Sequence, residues 1–196
     1  MLRKIVGYCW RLLLRIIEVR GGIMWRMAVG HKAPDPQLEL LETRGDPALE
    51  AEDTERLGAG HKLVGFRDGG RVISYGWVAV CGCDVDVLFG IRFSIPNETV
   101  YLWDCFTVDD ARNQGLFRRL LCDAPKRVAD ATYALVAVDV MNKPSRRAIG
   151  RAGFEPFFSY YGLRVFGKTV TSVALCDGRI CRLRTMLNTL PQLLQR

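Results

Sequence analysis

Residues 101–121 have the sequence YLWDCFTVDDARNQGLFRRLL, and this stretch decides the fold. Its apolar first part predicts a buried β-strand over Thr99–Val108. The following part places apolar residues at helical spacing and predicts an amphipathic helix over Gly115–Ala129. A short polar loop containing Arg112 joins the two elements. The stretch is therefore predicted to be a strand, a tight polar loop and a helix.

The loop has the chemistry of an anion-binding site. A helix N-terminus offers free backbone N–H groups and the positive end of the helix dipole. Gly115 lets the backbone approach an anion closely, and Arg112 adds a fixed positive charge. Many strand–helix turns contain Arg and Gly and bind nothing. The loop alone therefore identifies no ligand.

The rest of the chain predicts strands and helices around this unit. A β-hairpin is predicted over Lys62–Val80, because two alternating or β-branched runs flank the turn Asp68-Gly69-Gly70. Further strands are predicted over Gln37–Thr43 and Tyr133–Val140 and within Phe154–Val165 and Thr169–Cys176, with short helices over Pro47–Leu57 and Ser145–Ala152. This order predicts an α/β (α+β) domain with a central mixed sheet.

A second motif starts 25 residues after Phe117. It consists of Asn142-Lys-Pro-Ser145 with Gly153-Phe154 behind it, around the predicted short helix. The first motif, Val108 followed by Arg112-Asn113-Gln114-Gly115-Leu116-Phe117, together with the second resembles the acyl-CoA-binding motifs of the GNAT superfamily of N-acetyltransferases. The resemblance covers about Lys62–Val173. Two motifs in the right order, each on the right element, are far more specific than either alone.

The resemblance implies a GNAT-like sheet that splays apart beside the strand ending at Val108. The pantetheine arm of acetyl-CoA would enter that gap and pair with the backbone of Phe106, Thr107 and Val108. The pyrophosphate would be held by the Arg112 side chain and by the backbone amides of Asn113, Gln114, Gly115, Leu116 and Phe117. Asn142 would reach the pantetheine arm, with Ser145 beside it at the start of the next helix.

Two positions depart from the family pattern. Phe117 occupies the last position of the first motif, where the family usually has Gly or Ala. Its ring would have to point away from the phosphates. Ile149 stands where many members have a Tyr that protonates the leaving thiolate, and isoleucine has no proton to give. Without this Tyr, either another group protonates the thiolate, or the thiolate leaves unassisted, or the activity is lost.

Few residues are candidates for catalysis. Asp104 shares strand parity with Val108, which predicts that both side chains point to one face, and its carboxylate could be the base or simply a structural group. Tyr160 and Tyr161 follow the second motif and could supply the acid, although both could be ordinary strand aromatics. His61 lies outside the motif region and is a weaker candidate for the base. The basic residues Lys143, Arg146 and Arg147 could contact the 3′-phosphate of the donor or be solvated.

The charge distribution argues against a nucleic-acid enzyme. The formal charge is +7, but residues 1–33 hold seven Lys or Arg against one Glu, and residues 177–196 hold four Arg against one Asp. Residues 34–176 therefore carry a net −2. A nucleic-acid enzyme more often has a basic face on its main domain. We expect no nucleic-acid partner.

Three regions are predicted along the chain. Residues 1–33 form a basic N-terminal region with an amphipathic helix over Leu2–Arg20, residues 34–176 form the acyltransferase domain, and residues 177–196 form a C-terminal amphipathic helix. The polar stripe of the N-terminal helix is basic and its apolar face is wide. These features fit either a helix at a membrane surface or one docked on protein, and both interpretations stay open.

The function expected from the resemblance is transfer of an acetyl group from acetyl-CoA to a primary amine by direct attack on the thioester. An amino sugar or envelope-glycan precursor is one expected acceptor. Two alternatives remain: a long-chain N-acyltransferase that takes its acyl group from acyl-CoA or acyl carrier protein, and an inactive GNAT-like binding module at a membrane. The single C-x-C sequence lacks a second ligand pair, so no metal is expected. Seven cysteines without a disulfide pattern indicate the cytoplasm, with a peripheral location at the inner face of the membrane left open.

Overall fold

The computed structural model describes residues 17–88 and 90–195. The strands are β1 Ile17–Ala28, β2 Glu39–Leu41, β3 Lys62–Asp68, β4 Arg71–Ala79, β5 Asp84–Leu88, β6 Ile91–Ser94, β7 Thr99–Thr107, β8 Tyr133–Asp139, β9 Glu155–Val165, β10 Lys168–Cys176 and β11 Arg179–Arg182. The helices are α1 Glu50–Gly58, α2 Leu116–Val128, α3 Lys143–Arg151, α4 Leu183–Asn188 and α5 Leu190–Leu194. Single turns of 3-10 helix lie at Pro47–Leu49 and Asp109–Ala111.

Most of the strands form one large mixed sheet. Within the described residues its order is β11-β10-β9-β1-β8-β7-β4-β3-β2, and β5 and β6 form a separate hairpin. β7 and β8 are parallel, whereas the other neighbouring strands of the sheet are antiparallel. A parallel pair requires a crossover, and α2 supplies it. The predicted mixed sheet flanked by helices is confirmed.

The two faces of the sheet are covered differently. On one face α2 buries its apolar stripe, which includes Leu116, Leu120 and Leu121, against the centre of the sheet. The opposite face carries α1 over β3 and β4, and the β5–β6 hairpin with α4 and α5 over the other half. The strand–loop–helix unit of residues 101–121 therefore lies at the middle of the molecule.

The N-terminal prediction is wrong where the structure can test it. Ile17–Ala28 is a strand in the middle of the sheet, hydrogen-bonded to β8 on one side and to β9 on the other. Pairing along both edges satisfies its backbone, and this outweighs the helical spacing of apolar residues that suggested a helix up to Arg20. Residues 17–33 thus join the body instead of forming a separate region with residues 1–16. Residues 2–16 of the helix predicted over Leu2–Arg20 lie outside the described residues.

The C-terminal prediction is confirmed in its second part only. Ile180 belongs to β11 and is exposed, not part of a helix. Leu183, Leu187, Leu190 and Leu194 are buried on α4 and α5, as their helical spacing predicts. A break at Thr189 separates the two helices, with Pro191 in the first turn of the second.

The remaining elements follow the predictions with small shifts. The hairpin is confirmed as β3 and β4, while the strand predicted over Gln37–Thr43 shrinks to the three residues of β2. The stretch Cys81–Pro96, whose structure the pattern leaves open, holds the β5–β6 hairpin. None of the helices within residues 17–88 and 90–195 has the length and apolar character needed to span a bilayer.

Candidate active site

β7 and β8 separate partway along their length. They pair only over Thr99–Leu102 and Tyr133–Val136, although β7 continues to Thr107 and β8 to Asp139. Beyond Leu102, β7 stays bonded to β4, and β8 stays bonded to β1. A wedge-shaped gap therefore opens toward the carboxyl ends of these two strands. The edge of Trp103–Thr107 that faces the gap is unpaired with β8. Pairing of a pantetheine arm with the backbone of Phe106, Thr107 and Val108 stays a prediction.

The loop after β7 has the backbone conformation of an anion cradle. Asn113 and Gly115 both have positive φ, at 63° and 78°. Gly115 is the N-cap of α2, and no side chain caps that helix. The first intrahelical bond shown runs from the Arg119 N–H to the Gly115 carbonyl, at 3.0 Å. The earlier N–H groups, those of Leu116 and Phe117 included, have no intrahelical acceptor and are free to bind an anion.

The Arg112 side chain lies beside this cradle. Its Nε donates to the Thr107 carbonyl at 3.2 Å, and its guanidinium pairs with Asp109 at 2.8 Å. The side chain is 55% exposed, so its charge faces solvent at the loop. The Gln114 side-chain amide donates to the Asp110 carbonyl at 3.3 Å, which closes the loop.

The residue that departs from the first motif does not block the cradle. Phe117 is half-buried and packs on the apolar cluster beneath α2, where Leu116 is also buried. Its ring therefore packs against this cluster instead of filling the space in front of the loop. A Cβ added at Gly115 would meet no atom within 4 Å, so the space in front of the loop is open.

The second motif forms the start of α3, at the end of β8. The Asn142 side-chain oxygen accepts from the Ser145 N–H at 3.2 Å and caps the helix. Because parallel strands end at the same edge, this cap and the Gly115 loop lie on the two sides of the gap. Asn142 is exposed, and contact of Asn142 or Ser145 with a pantetheine arm stays a prediction. Ile149 is 1% exposed within the core and offers no chemistry to the gap.

The predicted orientation of Asp104 is wrong. The pairing of β4 with β7 shifts between Tyr75 and Trp77, and Asp104 has a φ of 45°. This bulge breaks the alternation of side chains. Asp104 therefore meets α1, whereas Val108 packs with the α2 cluster on the opposite face.

The Asp104 carboxylate takes part in an ion-pair network on the α1 side. It accepts from Arg56 at 2.5 Å and lies 3.5 Å from Arg44. The Arg44 side chain is buried and also binds Asp53 at 2.5 Å and Glu52 at 2.6 Å. These ion pairs direct the Asp104 carboxylate toward α1 and Arg44.

The two candidate tyrosines lie on opposite faces of β9. Tyr160 is buried in the cluster beneath α4 and α5, and burial raises the pKa of its phenol. Its ring lies across β1 at Gly22, where a Cβ would overlap the hydroxyl. Tyr161 is 42% exposed on the other face. Of the two tyrosines, Tyr160 lies on the same face of the sheet as Asp104. A role for Tyr160 or Tyr161 as the acid stays a prediction.

A cavity of about 580 Å³ lies on the face of the sheet that α1 covers, and no sequence pattern predicts it. Its wall comes from α1, the β5–β6 hairpin, His61 and Trp103. The available local signals were the i,i+4 pair Glu52 and Arg56 on a predicted helix, and the Gly60-His61 sequence just after it. Neither signal indicates that the hairpin closes over the helix.

Comparisons with solved structures find the same fold. A candidate acetyltransferase of the GNAT family from Novosphingobium aromaticivorans DSM 12444 superposes with a TM-score of 0.53 at 14% identity, over 75% of this chain and 64% of that one. A fungal GCN5-related glucosamine N-acetyltransferase region, within a multi-domain β-N-acetylglucosaminidase, gives 0.51 at 12% identity, over 81% of this chain and 22% of that one. A conserved protein of unknown function from Staphylococcus epidermidis ATCC 12228 gives 0.51 at 9% identity, over 80% and 66%.

Sequence comparisons add nothing to this likeness. No protein-family model matches the chain, and no curated protein does. The chain spans just under two thirds of the Novosphingobium structure. At these identities the likeness establishes the fold. The splayed parallel strands, the loop after β7 and the superposition together show that this chain has the fold of the GNAT N-acetyltransferases.

Proposed function

We propose that the protein transfers an acetyl group from acetyl-CoA to a primary amine. The observation that carries the proposal is the combination of the gap between β7 and β8 with the uncapped start of α2 at its mouth. An extended pantetheine arm needs unpaired strand backbone, and a pyrophosphate needs converging N–H groups and a cation. Trp103–Thr107, Gly115 and Arg112 offer all of these at one edge of the sheet.

The chemistry requires positioning more than covalent help from the protein. The amine attacks the thioester carbonyl, and a tetrahedral oxyanion forms and collapses with loss of the thiolate. The gap would hold the thioester with its carbonyl near the β7 backbone, where an N–H group can stabilise the oxyanion. Holding donor and amine together makes the attack effectively unimolecular. Ile149 supplies no proton, so the thiolate takes its proton from another group or from water.

The test is an assay of thiol release from acetyl-CoA with a panel of primary amines that includes glucosamine. We expect amine-dependent release by the wild-type chain and a loss of about 10²-fold or more in kcat/KM for Arg112→Ala, because that change removes a charge-assisted contact to the donor. Arg179→Ala is the control, since Arg179 is exposed on β11, the strand at one end of the sheet, and three strands separate β11 from β8 at the gap. No amine-dependent release with acetyl-CoA, but release with a long-chain acyl-CoA, would assign the long-chain alternative instead.

A further inference from the structure

The cavity on the α1 side is a built site with a negative lining. Its charged side chains are Glu52, Glu55, Arg56, Asp84, Asp86 and Arg92, four acids against two bases. Glu52 is already bonded to Arg44 and Arg56. Asp84 and Asp86 are exposed, and among the described residues their hydrogen bonds go to Ser94 and to the Gly90 N–H, both within the same hairpin. The lining thus has negative charge left over to attract a cation.

His61 is fixed in the wall of this cavity by the end of α1. The Gly60 N–H donates to the Leu57 carbonyl at 3.0 Å, and the His61 N–H donates to the Arg56 carbonyl at 3.1 Å. Gly60 has a φ of 89°, which glycine adopts readily. This is the Schellman arrangement of a helix C-terminus, and it holds the residue that follows the glycine in one orientation.

One ring nitrogen of His61 lacks a hydrogen-bond partner among the described residues. His61 is 7% exposed, and its buried Nδ1 has no hydrogen-bond partner there. Its ring meets the edge of Trp103 at a centroid distance of 5.3 Å. Burial lowers the pKa of His61, and the positive charge of Arg56 lowers it further. Both effects favour the neutral form of the ring, which is the form that can accept a proton.

The cavity lies beside the point where the central strands separate. Trp103 is the first residue of β7 after the last pair with β8, and it lines the cavity. Arg56 lies over the Trp103 ring at 4.5 Å and binds Asp104 in the bulge. A ligand in the cavity would thus approach the gap from the face opposite α2. The donor cradle lies at the start of α2, so two ligands could meet at the gap.

We propose that this cavity binds the acceptor of the transfer as an amine with a second positive charge, and that His61 takes the proton from its attacking nitrogen. The inference rests on the proposed function, because it assigns the acceptor half of the same reaction. The acidic lining would hold the distal cation, while the neutral imidazole faces the reacting ammonium group. Glucosamine, with one positive charge, would bind less well.

The protons balance in this step. His61 accepts one proton from the ammonium group and leaves a neutral amine. The nitrogen lone pair forms the C–N bond at the thioester carbonyl, and the C–S bond breaks as the tetrahedral species collapses. The second proton of the nitrogen passes to the thiolate sulfur, directly or through water. His61 then returns its proton to solvent, and the products are an amide, the free thiol and one proton.

The first experiment compares amines of one length with the full chain and acetyl-CoA. The probes are 1,4-diaminobutane, n-butylamine and 4-aminobutanoate, which differ only in the distal group. We expect kcat/KM to fall by about tenfold at each step from cation to neutral to anion, because each step removes one favourable charge interaction. Glu55→Gln should reduce the preference for the diamine. Glu50→Gln is its matched control on α1, because Glu50 is exposed outside the cavity. Equal kcat/KM values for the three amines, or a preference for 4-aminobutanoate or glucosamine, would overturn the proposal.

The second experiment tests His61 with the only other histidine as a control. We expect His61→Gln to lower kcat by about 10²-fold or more, with an unchanged KM for acetyl-CoA, and His31→Gln to have no effect. Wild-type kcat/KM should fall as the pH drops through a pKa below that of ordinary histidine, since an imidazolium cannot accept a proton. Added imidazole should restore part of the activity of His61→Ala. The charged and titratable groups that line the cavity with His61 are Arg56, Glu52 and Glu55 on α1, Cys83 just before β5, Asp84 and Asp86 on β5, and Arg92 on β6. If kcat/KM of His61→Gln still falls at acidic pH as it does in the wild type, the assignment of His61 as the base is overturned.

A titration without donor separates the two proposals. If calorimetry detects 1,4-diaminobutane binding that Glu55→Lys weakens and Glu50→Lys does not, the cavity is a cation site whatever the donor. If acetyl-CoA binds but the diamine neither binds nor reacts, the acceptor assignment fails while the donor half of the proposed function stands. If the diamine binds and acetyl-CoA does not, the proposed function fails and the cation site remains without its reaction.

Discussion

The Asp104 carboxylate and the Arg56 guanidinium lie 2.5 Å apart and join the bulge of β7 to α1. Asp104 is 37% exposed, so water screens the pair and it adds little to stability. Its consequence is positional, because Arg56 and Arg44 hold the carboxylate on the α1 side of the sheet. With Asp104 turned toward α1, Trp103 is the β7 residue that lies beside the gap, and it also lines the cavity on the α1 side.

This arrangement predicts that Asp104→Asn changes kcat by less than about tenfold, well below the usual effect of removing a general base. The measurement is the rate of thiol release with the preferred amine, with far-UV circular dichroism to verify the fold. Asp104→Asn retains the shape of the side chain and one acceptor oxygen for Arg56. A loss of two orders of magnitude or more would instead make Asp104 the base.

The buried pair of Arg44 with Asp53 predicts a large effect on stability. Asp53 is 1% exposed and accepts from the Arg44 Nε at 2.5 Å and from the Arg44 N–H at 2.8 Å. Asp53→Ala would leave a buried guanidinium short of a partner and should lower the free energy of unfolding by about 3–5 kcal/mol. Glu18→Ala removes the partner of Arg20, in a pair whose side chains are 61% and 39% exposed, and should cost under about 1 kcal/mol. Urea unfolding monitored by tryptophan fluorescence measures both, and similar values would contradict the buried network.

Packing of Tyr160 across β1 predicts that Gly22 tolerates no side chain. A Cβ there overlaps the Tyr160 hydroxyl and ring, so Gly22→Ala should destabilise the fold by about 1–3 kcal/mol. Shortening the neighbour in a Gly22→Ala, Tyr160→Leu double variant should recover part of that loss, with a coupling energy above about 0.5 kcal/mol. Gly30→Ala, where a Cβ meets nothing within 4 Å, is the control. Additive effects in denaturant unfolding would show that the ring does not lie over Gly22.

Direct attack on the thioester predicts that no cysteine beside the gap carries the acyl group. Burial, together with the charge of Asp104, raises the pKa of the Cys105 thiol to about 12. At pH 7 to 8 the thiol is protonated and unreactive, and it would become a nucleophile only at pH values near that pKa. Cys105→Ala should therefore retain activity within about threefold, because small apolar replacements of a half-buried thiol are tolerated. Exposed Cys81 should react first with iodoacetamide. An acetyl adduct on Cys105, found by mass spectrometry after incubation with acetyl-CoA, would point to a covalent route.

The parts of the site that the sequence predicts are those determined by neighbouring residues. The loop from Arg112 to Phe117 and the cap at Asn142 depend on Gly, Asn and Arg at short spacing between a strand and a helix. The orientation of Phe117 into the core follows from the same helical periodicity. Local signals of this kind are sufficient to locate the loop after β7 and to indicate the central strands.

The features that the sequence does not predict depend on pairing between distant segments. The strand Ile17–Ala28 exists because β8 and β9 bond to both of its edges, and those partners are more than 100 residues away. The bulge at Asp104 follows from the register of β4 against β7. The cavity requires the β5–β6 hairpin to close over α1 and His61. Side-chain parity and helical spacing carry no information about these contacts.

The most direct test of the donor site is calorimetric titration of the protein with acetyl-CoA, alongside Gly115→Glu and Gly178→Glu. Both glycines have positive φ, 78° and 72°, and a Cβ at either meets nothing within 4 Å, so both variants carry the same backbone strain. Only Gly115→Glu places a carboxylate in the cradle, where it would repel the pyrophosphate. We expect micromolar binding of acetyl-CoA by the wild type and by Gly178→Glu, and an affinity lower by about 10²-fold or more for Gly115→Glu. Equal binding by all three proteins, or no binding by the wild type, would contradict it.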